Sequence, residues 1–229
     1  MSVHRRALRS SIVKKALVAV TGLVLIGFLL LHMFGNLKIF AGADAYNYYA
    51  NWLKEDILYP ILPHGAGIWV IRVVVFVSLV VHVWLTILLW RGAVHARGSN
   101  YAVTNRKQST FAVKWQRWGG ITLGLLLVFH ILMFTTGTIH PGFTYDVHDP
   151  FDMFVGAFST WWVVVVYIIF MALVALHVRH GFWSAMATLG VNVSKGAYIT
   201  LNIIAYIIAA IIILGFVIPP LAVAFGIVR

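Results

Sequence analysis

The sequence predicts an all-α integral membrane protein of five transmembrane helices, and three observations carry that prediction. Of the 229 residues, 62% are hydrophobic and only 10% are charged, far from the balance of a soluble domain. Five apolar stretches are each long enough to cross ~30 Å of hydrocarbon at ~1.5 Å per residue. The charged residues gather almost entirely between those stretches, with one sign on each side.

The first span, Ala16–Phe34, follows a basic N-terminal segment and ends in His32-Met-Phe-Gly-Asn36 without a small-residue cleavage pattern. It is expected to stay in the mature chain rather than act as a cleaved signal. The next segment, Asp44–Tyr59, carries Tyr46, Tyr49, Trp52 and Leu53 at roughly helical spacing behind an Asp44 that could cap. It reads as a short interfacial helix or as an ordinary structured loop. The second span is Gly67–Trp90. The stretch Arg91–Arg117 that follows is long and basic and runs into Trp115-Gln-Arg-Trp118; it could dock a soluble partner or attract anionic membrane lipid. The third span is Gly119–Ile139 and the fourth Phe158–Val178. The fifth, Ala197–Ile218, has no histidine, and Tyr198, Thr200, Asn202 and Tyr206 are its polar side chains, so it reads as a packing helix. No linker or shift of composition divides residues 1–229, which are expected to form one domain.

The net charge of +11 is distributed as a membrane would distribute it, which argues against a nucleic-acid partner. Arg5, Arg6, Arg9, Lys14 and Lys15 precede the first span. Arg91, Arg97, Arg106, Lys107, Lys114 and Arg117 lie between the second and third, and Arg179 and Lys195 between the fourth and fifth. By the positive-inside rule these ends are cytoplasmic. Every acid, Asp44, Glu55, Asp56, Asp146, Asp149 and Asp152, falls in the opposite loops, with Lys38 and Lys54 as their basic residues. The N-terminus is expected inside and the C-terminus outside. The chain has no cysteine, which excludes disulfides, iron–sulfur ligation by thiolates and covalent haem attachment through C-x-x-C-H. With no G-x-G-x-x-G after a strand and no G-K-[ST] loop, nucleotide or flavin chemistry would belong to another chain.

Four of the ten histidines, His32, His82, His130 and His177, stand one in each of the first four spans, at intervals of 50, 48 and 47 residues. Any one of them could be an interior imidazole bonded to a serine, threonine or carbonyl. Four together, each costly to keep in hydrocarbon, point to a bound group in the bundle interior. Chain direction sorts them into two depths. His32 and His130 lie toward the outer side, His82 and His177 toward the cytoplasmic side. They are expected to form axial pairs on an outer and an inner b-type haem, held without covalent attachment in a four-helix bundle of the first four spans.

Small residues at helical offsets leave room for a flat macrocycle: Thr21 and Gly22 for His32, Ser78 for His82, Gly119 and Gly137 for His130. Each ligand's Nδ1–H is expected to bond a backbone carbonyl about one turn earlier, freeing Nε2 for iron. His177 is preferred to His180 because it lies deeper. His180, Arg179, Arg117, Trp118 and Lys15 are candidates for haem propionates, since carboxylates at the inner surface want cations or donors, with His180 alternatively capping its helix. His4, His95, His64, His140 and His148 lie in cytoplasmic or outer segments, where a solvated histidine needs no explanation. The group His140, Asp146, His148, Asp149 has metal-ligand types at a spacing that matches no firm pattern.

These residues resemble a family, the single-subunit di-haem cytochrome b anchors of succinate:quinone oxidoreductases, including related fumarate reductases. The likeness spans nearly the whole chain. It rests on Thr21-Gly-Leu with His32 and Gly35-Asn36 beyond it, on one histidine in each of four spans, and on Leu176-His177-Val-Arg-His180-Gly-Phe-Trp-Ser184-Ala-Met-Ala-Thr-Leu-Gly190. The resemblance implies haem iron on His32, His82, His130 and His177, and a flavoprotein subunit and an iron–sulfur subunit on the cytoplasmic face. It further implies electron transfer through two haems to a quinone, commonly menaquinone, in a cytoplasmic membrane. The quinone site has no match in the residues. Some members carry a glutamate two residues before the fourth ligand, linked to transmembrane proton movement, where this chain has Ala175. Alternatives are the di-haem anchors of nitrate reductase, hydrogenase or formate dehydrogenase, and a haem-free transporter or scaffold.

Overall fold

A computed structural model describes residues 10–95, 109–140, 142, 146 and 148–229, with backbone only for 109–115. Residues such as Arg5, Arg6, Arg9, Arg97, Arg106 and Lys107 lie outside the described residues, as do the side chains of Lys114 and Trp115. Among the described residues there are seven α-helices and no strand. Five helices are long and apolar enough to cross a membrane, the architecture of a multi-pass membrane protein.

Helix α1, Ser11–Leu37, starts at Ser10, whose hydroxyl accepts from the Ile12 amide at 3.2 Å, satisfying one of the orphan donors of the first turn. A 3₁₀ turn, Lys38–Ala41, leads to Gly42 at φ 90°, a left-handed conformation that suits glycine. The chain then enters α2, Ala43–Glu55. Of the two readings of Asp44–Tyr59 the helix is the one observed, over Ala43–Glu55, but Asp44 does not cap it. Gly42 holds the capping position and Asp44 sits in the first turn, where a carboxylate meets the positive end of the helix dipole.

Helix α3 is Ala66–His95 and α4 is Ser109–Phe134. The third span was expected to reach Ile139, but after Phe134 the amides of Thr135 and Thr136 both turn back to the Ile131 carbonyl and the helix closes. Gly137 thus lies in the following coil. Where the fourth span was expected to start at Phe158, the chain makes two helices. A short α5, Pro150–Phe158, is capped by the Asp149 carboxylate on the Asp152 amide at 3.0 Å. A break at Ser159-Thr160 leads into α6, Trp161–Thr188.

Helix α6 runs ten residues beyond Val178, since no glycine turn or proline stops it until Gly190 at φ 83°. His180 is inside this helix and cannot cap its end. Helix α7, Lys195–Ala224, starts at Ser194 and runs past the expected end at Ile218 through Pro219 and Pro220, both buried. Membrane helices tolerate proline where packing holds the freed carbonyls.

Helix α1 packs on α3 and α6, and α6 packs on α4. The four histidine-bearing helices therefore follow one another in the order α3, α1, α6, α4 around an incomplete ring whose α3–α4 side is the least packed, with the histidines of α1 and α4, and of α3 and α6, meeting across it. The packing helix α7 lies outside the ring against α6 and α1. At Gly215 of α7 a Cβ would collide with the Met33 thioether of α1, so the two backbones approach as closely as small residues permit. Helices α2 and α5 close the end of the ring that carries the acids, joined through Asn47, whose amide donates to Asp149 at 2.8 Å and accepts from the Phe151 amide at 3.0 Å.

Candidate functional site

One cavity of about 1460 Å³ runs through the ring and is lined by all four interior histidines. This exceeds the ~300–1,000 Å³ of an ordinary single-ligand pocket. Its walls are mostly apolar, built from residues such as Leu29, Phe76, Leu127 and Phe170.

At one level His82 of α3 meets His177 of α6, with ring centroids 6.5 Å apart and planes at 63°. His82 is oriented by α1. Its Nδ1 lies 3.1 Å from the Val18 carbonyl oxygen and 3.3 Å from the Thr21 hydroxyl. Gly22 lets the ring approach, since a Cβ there would stand 3.2 Å from His82 Cε1. Opposite, the Gln116 amide donates to the His177 carbonyl at 3.4 Å and Gly120 leaves room beside the His177 ring. His177 Nδ1 is buried without a partner, a cost of roughly 1–3 kcal/mol that packing alone does not justify.

At the other level His32 of α1 meets His130 of α4, centroids 5.9 Å apart and planes at 81°. Phe28 and Phe216 flank the His32 ring, each at 5.5 Å. The Asn36 amide donates to the His32 carbonyl at 2.8 Å. His130 Nδ1 lies 3.2 Å from the Tyr167 hydroxyl of α6. His32 follows Thr21 and Val18 by 11 to 14 residues on one helix, so the two levels are about 16–21 Å apart.

The expected pairs are thus the pairs the fold brings together, while several neighbours differ from expectation. Thr21 and Gly22 serve His82 rather than His32, because ten or eleven residues of helix put them a full level away. Gly119 has open space around it and Gly120 faces His177 instead. Ser78 is buried on α3. No described Nδ1 bonds a carbonyl of its own helix; the partners of His82 and His130 come from neighbouring helices, whose side chains and carbonyls project into the ring.

Of the cations and donors proposed for the inner end, Lys15, Arg117 and His180 line the cavity. Arg179 does not. At ~100° per residue it points some 200° away from His177, toward α7, where its guanidinium donates to Asn202 Oδ1 at 3.2 Å and lies 4.4 Å from the Tyr206 ring. Trp118 is 64% exposed on the outer surface of α4. Arg117 lies 5.6 Å from the Trp90 ring of α3.

The sequence reading missed Arg72, which lines the cavity within α3 and lies 4.8 Å from the Trp69 ring. A lone arginine inside an apolar span is the signal that would have found it. Tyr167 and Gln116 left no such signal. Tyr46 also lines the cavity, from α2, and burial pushes its phenol up to about 12.

In the loop group of His140, Asp146, His148 and Asp149, Asp146 accepts from the His148 amide at 2.8 Å and Asp149 caps α5. No group of three or more metal-ligating side chains occurs among the described residues; the histidines meet two by two. No model of a known protein family, no curated protein and no solved structure matches the chain.

Proposed function

We propose that this chain is the membrane-anchor cytochrome b of a succinate:quinone oxidoreductase, with His32 and His130 holding an outer b-type haem and His82 and His177 an inner one. The observation that carries the reading is the pairing itself: two imidazoles from facing helices at each of two levels of one apolar cavity. A metal–imidazole bond of ~2 Å on either side of one ion puts ring centroids roughly 6–6.5 Å apart, close to the spacings of both pairs. Paired imidazoles, rather than larger ligand clusters, are the donor set that would hold a haem iron. When bound, the haems supply reversible one-electron transfer between the two faces of the membrane.

The chain's own residues then bind, orient and insulate. Val18 and Thr21 fix the His82 ring from the adjacent helix, and Tyr167 does so for His130, as outer-shell partners do for metal-bound imidazoles. Phe28 and Phe216 exclude water beside His32. Lys15 and Arg117 at one end, and Arg72 nearer the other, can neutralise propionates, and His180 can donate a hydrogen bond to one. The resemblance stated for the sequence supplies the rest of the reading: a flavoprotein and an iron–sulfur subunit on the basic, cytoplasmic face, and a quinone, menaquinone in much of the group, as acceptor. The absence of cysteine accords with iron–sulfur clusters carried elsewhere.

The test is spectroscopic. Purified complex should show six-coordinate low-spin haem at close to two per chain. His82→Ala and His177→Ala should each remove one spectral component, and His32→Ala and His130→Ala the other. Loss of one common component on replacing His82 and His130 would overturn the pairing, and a colourless complex from haem-replete cells would overturn the function. Co-purification with a flavin-containing and a cysteine-rich subunit distinguishes this enzyme from the other di-haem anchors.

A further inference from the structure

Tyr167 occupies an unusual position for a phenol. It is 6% exposed on α6, boxed by Phe134 of α4 at 5.8 Å, Phe158 of α5 at 5.1 Å and Phe170 of its own helix at 6.0 Å. The rings of Phe134 and Phe158 stand nearly perpendicular to it, at 85° and 89°, so they present edges and faces that hold its plane. Within this apolar box the hydroxyl lies 3.2 Å from His130 Nδ1, and a buried phenol usually keeps such a partner. Three elements thus position one oxygen against one nitrogen.

We infer that Tyr167 is a positioning residue that sets the electronic character of the outer site by accepting a hydrogen bond from the His130 Nδ1–H. The inference rests on the ligation proposed above. An imidazole whose Nδ1–H is engaged keeps the lone pair on Nε2 for iron, and the acceptor fixes the tautomer and makes the ring a better donor. A more basic ligand stabilises ferric over ferrous iron and lowers the midpoint potential. At the other level the corresponding nitrogen of His82 meets a backbone carbonyl and a threonine, so Tyr167 bears on one haem only.

The experiment is a redox titration of the full complex carrying Tyr167→Phe, which keeps the ring and its box and removes the acceptor. Haem content should match the wild type. The component assigned to His32 and His130 should titrate at higher potential, seen as a several-fold fall in its oxidised-to-reduced ratio at fixed potential. The other component should not move. Should Tyr167→Phe fail to assemble, a fluorinated tyrosine at position 167, a weaker acceptor of nearly the same shape, should shift the same component in the same direction by less. Two bound haems with both midpoints unchanged, or a shift confined to the His82 and His177 component, would overturn the role of Tyr167 and leave the proposed function standing. A wild-type complex without haem would overturn both.

Discussion

The four interior histidines are alike in sequence context and unlike in environment. His82 meets the Val18 carbonyl, His130 the Tyr167 phenol, and His177 Nδ1 meets nothing. A residue's role here is set by the neighbouring helix rather than by its own. The same holds outside the membrane at Asp149, which caps α5 and accepts from the Asn47 amide of α2. The Asp152 amide first, then the Asn47 amide, hold its carboxyl below the usual value of 3.8. The folded value is depressed, so the stabilisation is fully present above the ordinary carboxylate value and is lost as pH falls through the lowered one. Asp149→Ala should therefore cost about 0.5–2 kcal/mol at neutral pH, as loss of a cap does, measured by thermal unfolding in detergent. The difference from wild type should shrink in acid, and a deficit that persisted there would show that the charge is not what matters.

At the scale of elements, two glycines of long helices separate packing from propensity. A Cβ at Gly67 of α3 would collide with the backbone carbonyl of Ile57 in the preceding loop, whereas Gly27 of α1 has nothing within 4 Å. Backbone cannot step aside as a side chain can. Gly67→Ala should destabilise by about 1–3 kcal/mol through overpacking, whereas Gly27→Ala should be neutral or stabilise by up to roughly 1 kcal/mol through helix propensity. Equal melting temperatures for the two variants would mean that the Ile57 loop does not bear on α3. Helix α6 shows the same competition in its length. The polar residues His180 and Ser184 lower hydropathy without stopping a helix, so the helix outlasts the apolar run and carries His180 onto the cavity face and Arg179 onto α7.

For the molecule as a whole, bases and acids lie at opposite ends. Lys15, Arg117 and His180 line the cavity near His82 and His177, and the acid-bearing α2 and α5 close the other end. The charge pattern is expected to place the basic end in the cytoplasm. A chain with no cysteine makes this simple to test with single introduced thiols. Val193, between α6 and α7, and Ile61, between α2 and α3, are each 84% exposed. Val193→Cys should react with an impermeant maleimide only after the membrane is opened, and Ile61→Cys from outside in intact spheroplasts. The reverse pattern would invert the protein and move any soluble partner to the other side.

By itself the sequence determined the number of crossings, the separation of charge and one histidine per crossing for four of the five, because apolar length and loop charge are local properties that the bilayer reads directly. Which end of each helix is extended was less legible: Pro219-Pro220 did not end α7, and Phe158 began no span. Only the tertiary structure decided which faces meet. That Thr21 and Gly22 receive His82, that Tyr167 reaches His130, and that Arg179 turns away from the cavity all depend on how each helix is rotated about its axis and seated against its neighbours. Those rotations are set by packing summed over the whole ring, and no single segment contains it.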